Sequence, residues 1–348
     1  MKESKFNLRP VGKYVNNEGK EGVRYIWEID GTSDYYVESG AFYKRTNLGI
    51  NKIDEQIAAY TTSVSSGCFL SKNNRQCKFC VTGNTIPFRR FLSGEEIALQ
   101  NIFMVLNDKQ ANESGKMREF AYMGQGEPGF SYEQVKQAMV ITNDVMKALG
   151  IKVFRHIFAT SGVTPGIVKL TKDVMAGVYG QNKILLHLSV HAALNRGKLM
   201  PIDNDFPLAE VVKASEEYAR FTGEKVVVNF MMLSGAVFGN NGPFSTLSTK
   251  EIDCLVKLLN PKYHRIILCE YNPPADIDNG NNVSIEEINQ AEKQFLDHGF
   301  TVKKFVAFGK KDKLACGLLG GKAVPNLNFS QIENEFEKAC NLISNLSK

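Results

Sequence analysis

The sequence predicts an α/β protein built on a parallel sheet covered by helices. Three observations carry that expectation. Strand-like apolar runs recur at residues 119–123, 153–160, 184–190, 226–233 and 265–270. Amphipathic helical stretches fill the gaps between them, and alternation of this kind needs a parallel sheet, either doubly wound or closed as a barrel. The composition agrees, since 348 residues with 43% hydrophobic and 23% charged content make a soluble chain able to bury a full core.

The elements follow in order. In Val23-Arg24-Tyr25-Ile26-Trp27-Glu28-Ile29 bulky residues alternate, and Asp30-Gly31 supplies a turn before Tyr35-Tyr36-Val37-Glu38. Residues 1–58 therefore read as a β-rich extension. The run 60–65 is the first strand of the main domain, which brings the count to six. Ser93-Gly94-Glu95-Glu96 is a capping box opening a helix with Ile97, Ile102, Met104 and Val105. Ser248-Thr249-Lys250-Glu251 repeats the device before Ile252, Leu255, Val256 and Leu259. A last helix from about residue 330 puts Ile332, Phe336, Cys340 and Ile343 on one face. The chain divides into the extension 1–58, a main domain 59–322 and a helical tail 323–348.

Lys+Arg 42 against Asp+Glu 37 gives a net charge of +5. That balance tolerates a polyanionic partner without requiring one. No apolar run approaches the roughly 20 residues of a membrane span. The start lacks the apolar core of a secretory signal, and seven cysteines are an odd number. A cytoplasmic protein with reduced thiols, and no membrane partner, is the expectation.

Three of those thiols crowd into one loop, Cys68, Cys77 and Cys80. Three thiolates suit three irons of a [4Fe–4S] cluster, leaving the fourth iron open. Half a zinc site or a redox pair are the competing readings of Cys-x-x-Cys. Against zinc, no His or Cys follows within seventy residues. Against a redox pair, Cys68 would have no part. Spacing alone leaves these readings open.

Further motifs lie in order along the chain: Val64-Ser65-Ser66-Gly67-Cys68, Met123-Gly124-Gln125-Gly126-Glu127-Pro128, Ala159-Thr160-Ser161-Gly162-Val163, Leu188-Ser189-Val190-His191-Ala192, Met200-Pro201-Ile202, Tyr271-Asn272-Pro273 and Ala315-Cys316-Gly317-Leu318-Leu319. Together they resemble the radical S-adenosylmethionine (SAM) enzymes, and within them the RNA adenine C2/C8 methyl synthases. The resemblance covers about residues 60–322. It implies a partial barrel of six β/α units with its site at the C-terminal rim of the strands. It implies a [4Fe–4S] cluster on Cys68, Cys77 and Cys80, and SAM held by Gly126, Glu127, Ser161, Ser189, His191 and Asn272. It implies that Cys316 takes a methyl group from one SAM. A second SAM then yields a 5′-deoxyadenosyl radical that activates that methyl for addition to a base. The implied partners are ribosomal or transfer RNA and an external electron donor such as flavodoxin or ferredoxin.

The sequence departs from the family in several places. The family spaces its cluster cysteines by three residues and then two; here the gaps are eight and two, and Lys72 and Arg75 make the longer arm basic. The family's second catalytic cysteine, which resolves the RNA adduct through a disulfide, aligns with Ser63, or with Thr61 if no gap is allowed. Period-two counting from Asn272 turns Cys269 away from the SAM side. Cys254 falls on an outer helix face, and Cys340 in the apolar stripe of the last helix. Residues preceding Cys68 read as strands where the family has a helical RNA-binding domain. Lys310-Lys311-Asp312-Lys313 is basic where the family is acidic. Glu38, nearest match to the family's general base, reads as a surface residue. A radical SAM enzyme acting on a small molecule or peptide, and an iron–sulfur or zinc nucleic-acid module using Lys72, Arg75, Arg89 and Arg90, are the alternative functions.

Overall fold

A computed structural model describes residues 6–16, 22–42, 56–240, 242–272, 279–305, 330 and 332–346. The chain opens with β1 (Leu8–Asn16), β2 (Gly22–Ile29) and β3 (Thr32–Phe42), an antiparallel meander. Asp30 and Gly31 join β2 to β3 with φ of 55° and 66°. Positive φ at both central residues is what a tight Asp-Gly hairpin requires. β3 then pairs antiparallel with β4 (Ile57–Thr61), and β4 starts the parallel part of the sheet. The short strands β5 (Ser65–Ser66) and β6 (Arg90–Phe91) make a separate two-stranded clasp.

Parallel pairing continues through β7 (Met117–Tyr122), β8 (Val153–Thr160), β9 (Ile184–Ser189), β10 (Val226–Met232), β11 (His264–Glu270) and β12 (Val302–Phe305). The ten-stranded sheet runs β1-β2-β3-β4-β7-β8-β9-β10-β11-β12. Among the described residues seven strands are therefore parallel, where the sequence suggested six. The seventh, Val-Lys-Lys-Phe, is four residues long and half charged, so no apolar run marks it. The first parallel strand also ends earlier than residue 65.

Alternate residues of these strands serve two faces. Phe120, Tyr122, Phe158, Leu186, Leu188, Val228, Phe230, Ile266 and Leu268 pack under helices in the main core. Ala121, Ile157, Leu185 and Val227 form a smaller cluster on the opposite, helix-free face. Burial on both faces is the rule for parallel strands and explains their continuous apolar runs. A third cluster at the C-terminal rim joins Cys68 and Leu70 to Ala192, Met200, Leu233, Phe238 and Tyr271.

The helix Gly94–Asn107 begins with the expected capping box at Ser93 and Glu96. Both its sides are covered: the Phe103 ring meets Tyr25 and Trp27 edge-on at 5.0 Å each and Phe336 of the last helix, Glu333–Leu346, at 6.4 Å. The second capping device is only half realised. Ser248 accepts from the Glu251 amide, but the Glu251 carboxylate turns away and accepts from the amides of Ala193 and Leu194. No helix among the described residues is long and apolar enough to cross a membrane.

Candidate functional site

After β4 the chain is led to Cys68 by buried amides from two directions. Gln100 and Asn101 reach down from their helix, Gln100 bonding both backbone groups of Ser63 and Asn101 the Thr62 hydroxyl. From the other side the Gln125 carbonyl accepts from the amides of Val64 and Ser65 at 2.9 and 3.3 Å. Its side-chain oxygen accepts from the Gly67 amide at 3.2 Å. Gly67 has φ +68°, and a Cβ there would lie 2.4 Å from the Pro87 carbonyl oxygen, so only glycine fits the turn into the first thiol.

The eight-residue arm is folded tightly. Residues Phe69–Asn73 form a 3-10 turn closed by Asn74 at φ 54°, and Arg75 N–H bonds Leu70 O at 2.8 Å. Phe69 packs on the rings of Phe88, Phe91 and Phe130. Arg75 pairs with Asp205 at 2.7 Å, and Lys72 lies over the Phe88 ring at 5.1 Å. Arg90 is held by Glu96 and Asp30. Each of these cations thus has an intramolecular partner while remaining partly open to solvent. Asn84 gathers the other two thiol positions, donating to the carbonyls of Cys77 at 2.9 Å and Cys80 at 2.6 Å.

Cys68, Cys77 and Cys80 are all unbridged. Burial pushes the Cys68 thiol up to about 12, and the charge of Cys80 adds to the rise. Burial also raises Cys77, helped by the charges of Cys80 and Cys68 and opposed by that of Arg196. Burial raises Cys80 against hydrogen bonds that favour its thiolate. Thiols this close and this desolvated resist ionising alone, and cationic iron relieves that cost because its ligands bind as thiolates. Among the described residues no three His, Cys, Asp or Glu side chains converge on the position of a single ion. Three unbridged cysteines on one loop are the donor type that a [4Fe–4S] cluster takes, so the donor set fits that group in kind.

Around the thiols lie the strand ends. Gly126 has φ +101°, and its missing Cβ leaves space filled by Ser65 and Val64, so this glycine serves the packing of the cysteine loop. The Glu127 carboxylate accepts from Thr160 Oγ1 at 2.5 Å, Ser161 N and Oγ at 2.7 Å each, and Gly129 N at 2.8 Å. Burial raises its pKa while these bonds oppose the rise. Glu127 thus braces the end of β7 to the end of β8. Ser161 does not cap the following helix, Thr164–Met175, whose N-cap is Val163.

His191 sits beyond β9 at φ 59°, with Phe79 edge-on at 5.0 Å. Its Nδ1 accepts from Met231 N at 3.1 Å, and burial, reinforced by the Arg196 charge, lowers its pKa to about 3. The imidazole is neutral, with its proton on Nε2. Ser189 ends β9, and buried Asn272 lies two residues past the end of β11.

The sequence reading gave no role to Arg196, which is 1% exposed and bonds Asp203 and the carbonyls of Ser161 and Ser189. Two other expectations are corrected. Glu38 is 2% exposed and pairs with buried Arg24 at 3.4 Å, so it is no surface residue. Cys269 contacts Asn229 Oδ1 at 3.9 Å and alternates with Leu268, which packs under the helices, so its thiol belongs to the helix-free face. Cys316 and Lys310–Lys313 lie outside the described residues.

Comparison with known proteins first defines the class. The fold matches the crystal structure of a radical SAM methyltransferase from Sphaerobacter thermophilus with a TM-score of 0.71 at 22% identity, covering 90% of this chain and 81% of that one. No family model matches the chain. A probable dual-specificity RNA methyltransferase RlmN from Chlorobium phaeobacteroides is 30% identical over 75% of this chain and 67% of its own length. A ribosomal RNA large subunit methyltransferase Cfr from Bacillus velezensis is 29% identical over 80% of this chain and 76% of its own. The chain belongs to the RlmN/Cfr family and is a radical SAM enzyme of the methyltransferase type.

Proposed function

We propose that this protein transfers a methyl group to an RNA base, using a [4Fe–4S] cluster and SAM. The observation that carries the reading is the set of three unbridged, mutually interacting thiols at the strand-end rim. Cys68, Cys77 and Cys80 would hold the cluster. When bound, the cluster supplies the electron that cleaves SAM to a 5′-deoxyadenosyl radical. Gln125 and Gly67 fix the approach to Cys68, and Asn84 fixes the other two positions. Gly126, Glu127, Ser161, Ser189, His191 and Asn272 would line the SAM site. With its carboxylate engaged by four donors, Glu127 acts there by shaping the pocket. Cys316 would accept the methyl group by displacement from SAM, as the family resemblance implies.

Anaerobic reconstitution should give about four irons per chain. Cys77→Ala is expected to abolish 5′-deoxyadenosine formation, whereas Cys254→Ala on an outer helix leaves it intact. Mass analysis after expression should find an S-methyl group on Cys316. Stoichiometric zinc without iron would end the cluster reading, and a bare Cys316 thiol would end the methyl-carrier reading.

One observation favours a second substrate class. Ser63, where the resolving thiol would stand, is fully buried and hydrogen-bonded on three sides. Hydrogen abstraction from a non-RNA substrate needs no resolving thiol. Robust deoxyadenosine production with no S-methyl on Cys316 selects that reading.

A further inference from the structure

We propose that Arg196 is a positioning residue of this site: its guanidinium ties together the strand ends carrying Ser161 and Ser189 and fixes a positive charge beside the cysteine cluster. The inference rests on the cluster-and-SAM reading above.

The geometry is specific. Arg196 opens a four-residue helix, Arg196–Leu199, in the connection after His191. Its side chain runs back under the rim, where Nη2 donates to Ser161 O at 2.6 Å and to Ser189 O at 3.4 Å. Nη1 donates to Asp203 Oδ1 at 2.5 Å, and Nε is buried with no partner. A planar fork reaches all three acceptors at once, which an ammonium on a flexible stem does not.

The charge itself needs a reason. A neutral side chain can donate to two carbonyls, whereas burying a guanidinium costs several kcal/mol unless nearby negative charge compensates. Asp203 supplies part of that, but its side chain is 24% exposed and partly screened. The short helix that Arg196 opens is bonded to the cysteine loop, Lys78 N–H donating to Leu199 O at 2.9 Å between Cys77 and Cys80, so the guanidinium stands on the segment that abuts these thiols. Burial keeps His191 neutral beside Phe79, and the same charge adds to that effect. One residue therefore couples the shape of the strand-end pocket to the electrostatics of the cluster ligands.

Two properties are separable by substitution in anaerobically reconstituted full-length protein. Arg196→Met removes fork and charge. It is expected to weaken SAM binding about tenfold, worth about 1.4 kcal/mol, and to make the cluster midpoint potential more negative, since reduction adds charge beside a lost cation. Arg196→Lys keeps the charge and loses the fork, so its potential should stay near wild type while SAM affinity still falls. Asp203→Asn, at a partly exposed position, leaves Arg196 in place without its anchor and should weaken SAM binding severalfold. Circular dichroism identifies the folded variants, and Asp203→Asn decides the matter if both Arg196 variants unfold. SAM affinity within twofold of wild type in a folded Arg196→Met protein, or in Asp203→Asn if that alone folds, overturns the proposal. Failure of the underlying reading shows differently: wild type itself would take up neither iron nor SAM, and both would fall.

Discussion

Ser63 shows how one side chain can be committed to structure where the resemblance places a thiol. Its hydroxyl donates to the Glu38 carbonyl and accepts from the amides of Glu38 and Gln125. A Cβ on Gly124 would lie 2.7 Å from that oxygen, so there is no slack. Sulfur is larger and a weaker hydrogen-bond partner. Ser63→Cys should therefore cost about 1–3 kcal/mol and leave turnover no faster, read from the urea midpoint and from multiple-turnover assays. A variant as stable as wild type with faster turnover would show that position 63 opens to substrate. Three buried histidines make a second residue-scale prediction. His156 and His191 are lowered to about 3 and His264 to about 4, each by desolvation. The His156 ring also bonds the Tyr122 hydroxyl at 3.1 Å and Asn143 Oδ1 at 2.8 Å. Depressed folded values mean that the unfolded chain binds more protons below about pH 6.5. Stability from these groups is thus complete above that pH and falls as the solution is acidified toward 4. Together they should remove roughly 4 kcal/mol between pH 7 and 5.5. Unfolding midpoints flat across that interval would show that the three rings are protonated in place.

At the scale of elements, the turn into the first thiol depends on Gly67 and the turn before β7 contains Gly115, two glycines of similar φ in different surroundings. Gly67 at +68° faces the Pro87 carbonyl; at Gly115, with φ +62°, a Cβ would meet nothing within 4 Å. Alanine at either position carries the left-handed penalty of about 1–2 kcal/mol. Only Gly67→Ala must also press on the backbone of Pro87 and Phe88 and so displace the turn that leads into Cys68. It is expected to lose iron on reconstitution, while Gly115→Ala keeps a full complement and loses stability alone. Equal iron in both would mean that the loop adapts. The elements were legible wherever their signal was local. Strands buried on both faces appeared as apolar runs, and Ser93 with Glu96 announced a helix start. What the sequence hid was long-range hydrogen bonding. Gln100, Gln125, Glu251 and Arg196 commit their side chains to backbone groups of other segments, and no periodicity records that. The misplacement of Cys269 has a related cause. β11 ends at Glu270, so counting by two from Asn272 runs through a residue outside the strand.

For the whole molecule, the question is how the extension 1–58 and the helical tail, which the sequence reads as terminal additions to one main domain, are joined to it. The Phe103 ring argues for one cooperative unit. It lies on a helix of the main domain, touches Tyr25 and Trp27 of the meander, and meets Phe336 of the last helix. β3 and β4 also continue one hydrogen-bonded sheet across position 58. Apolar residues of all three stretches share one buried cluster, and removing one layer would leave the others facing water. Trp27 makes this measurable, because it is the only tryptophan, is fully buried and donates to Ser39 Oγ at 2.8 Å. Its fluorescence reports the meander, while far-UV circular dichroism is dominated by the helices. In urea the two signals should change with one midpoint, since coincident transitions mark two-state unfolding. Phe103→Ala should move both together by about 3–5 kcal/mol. A Trp27 transition preceding the loss of helix would instead place a unit boundary near residue 58, with Phe103 as a contact between two separately folding parts.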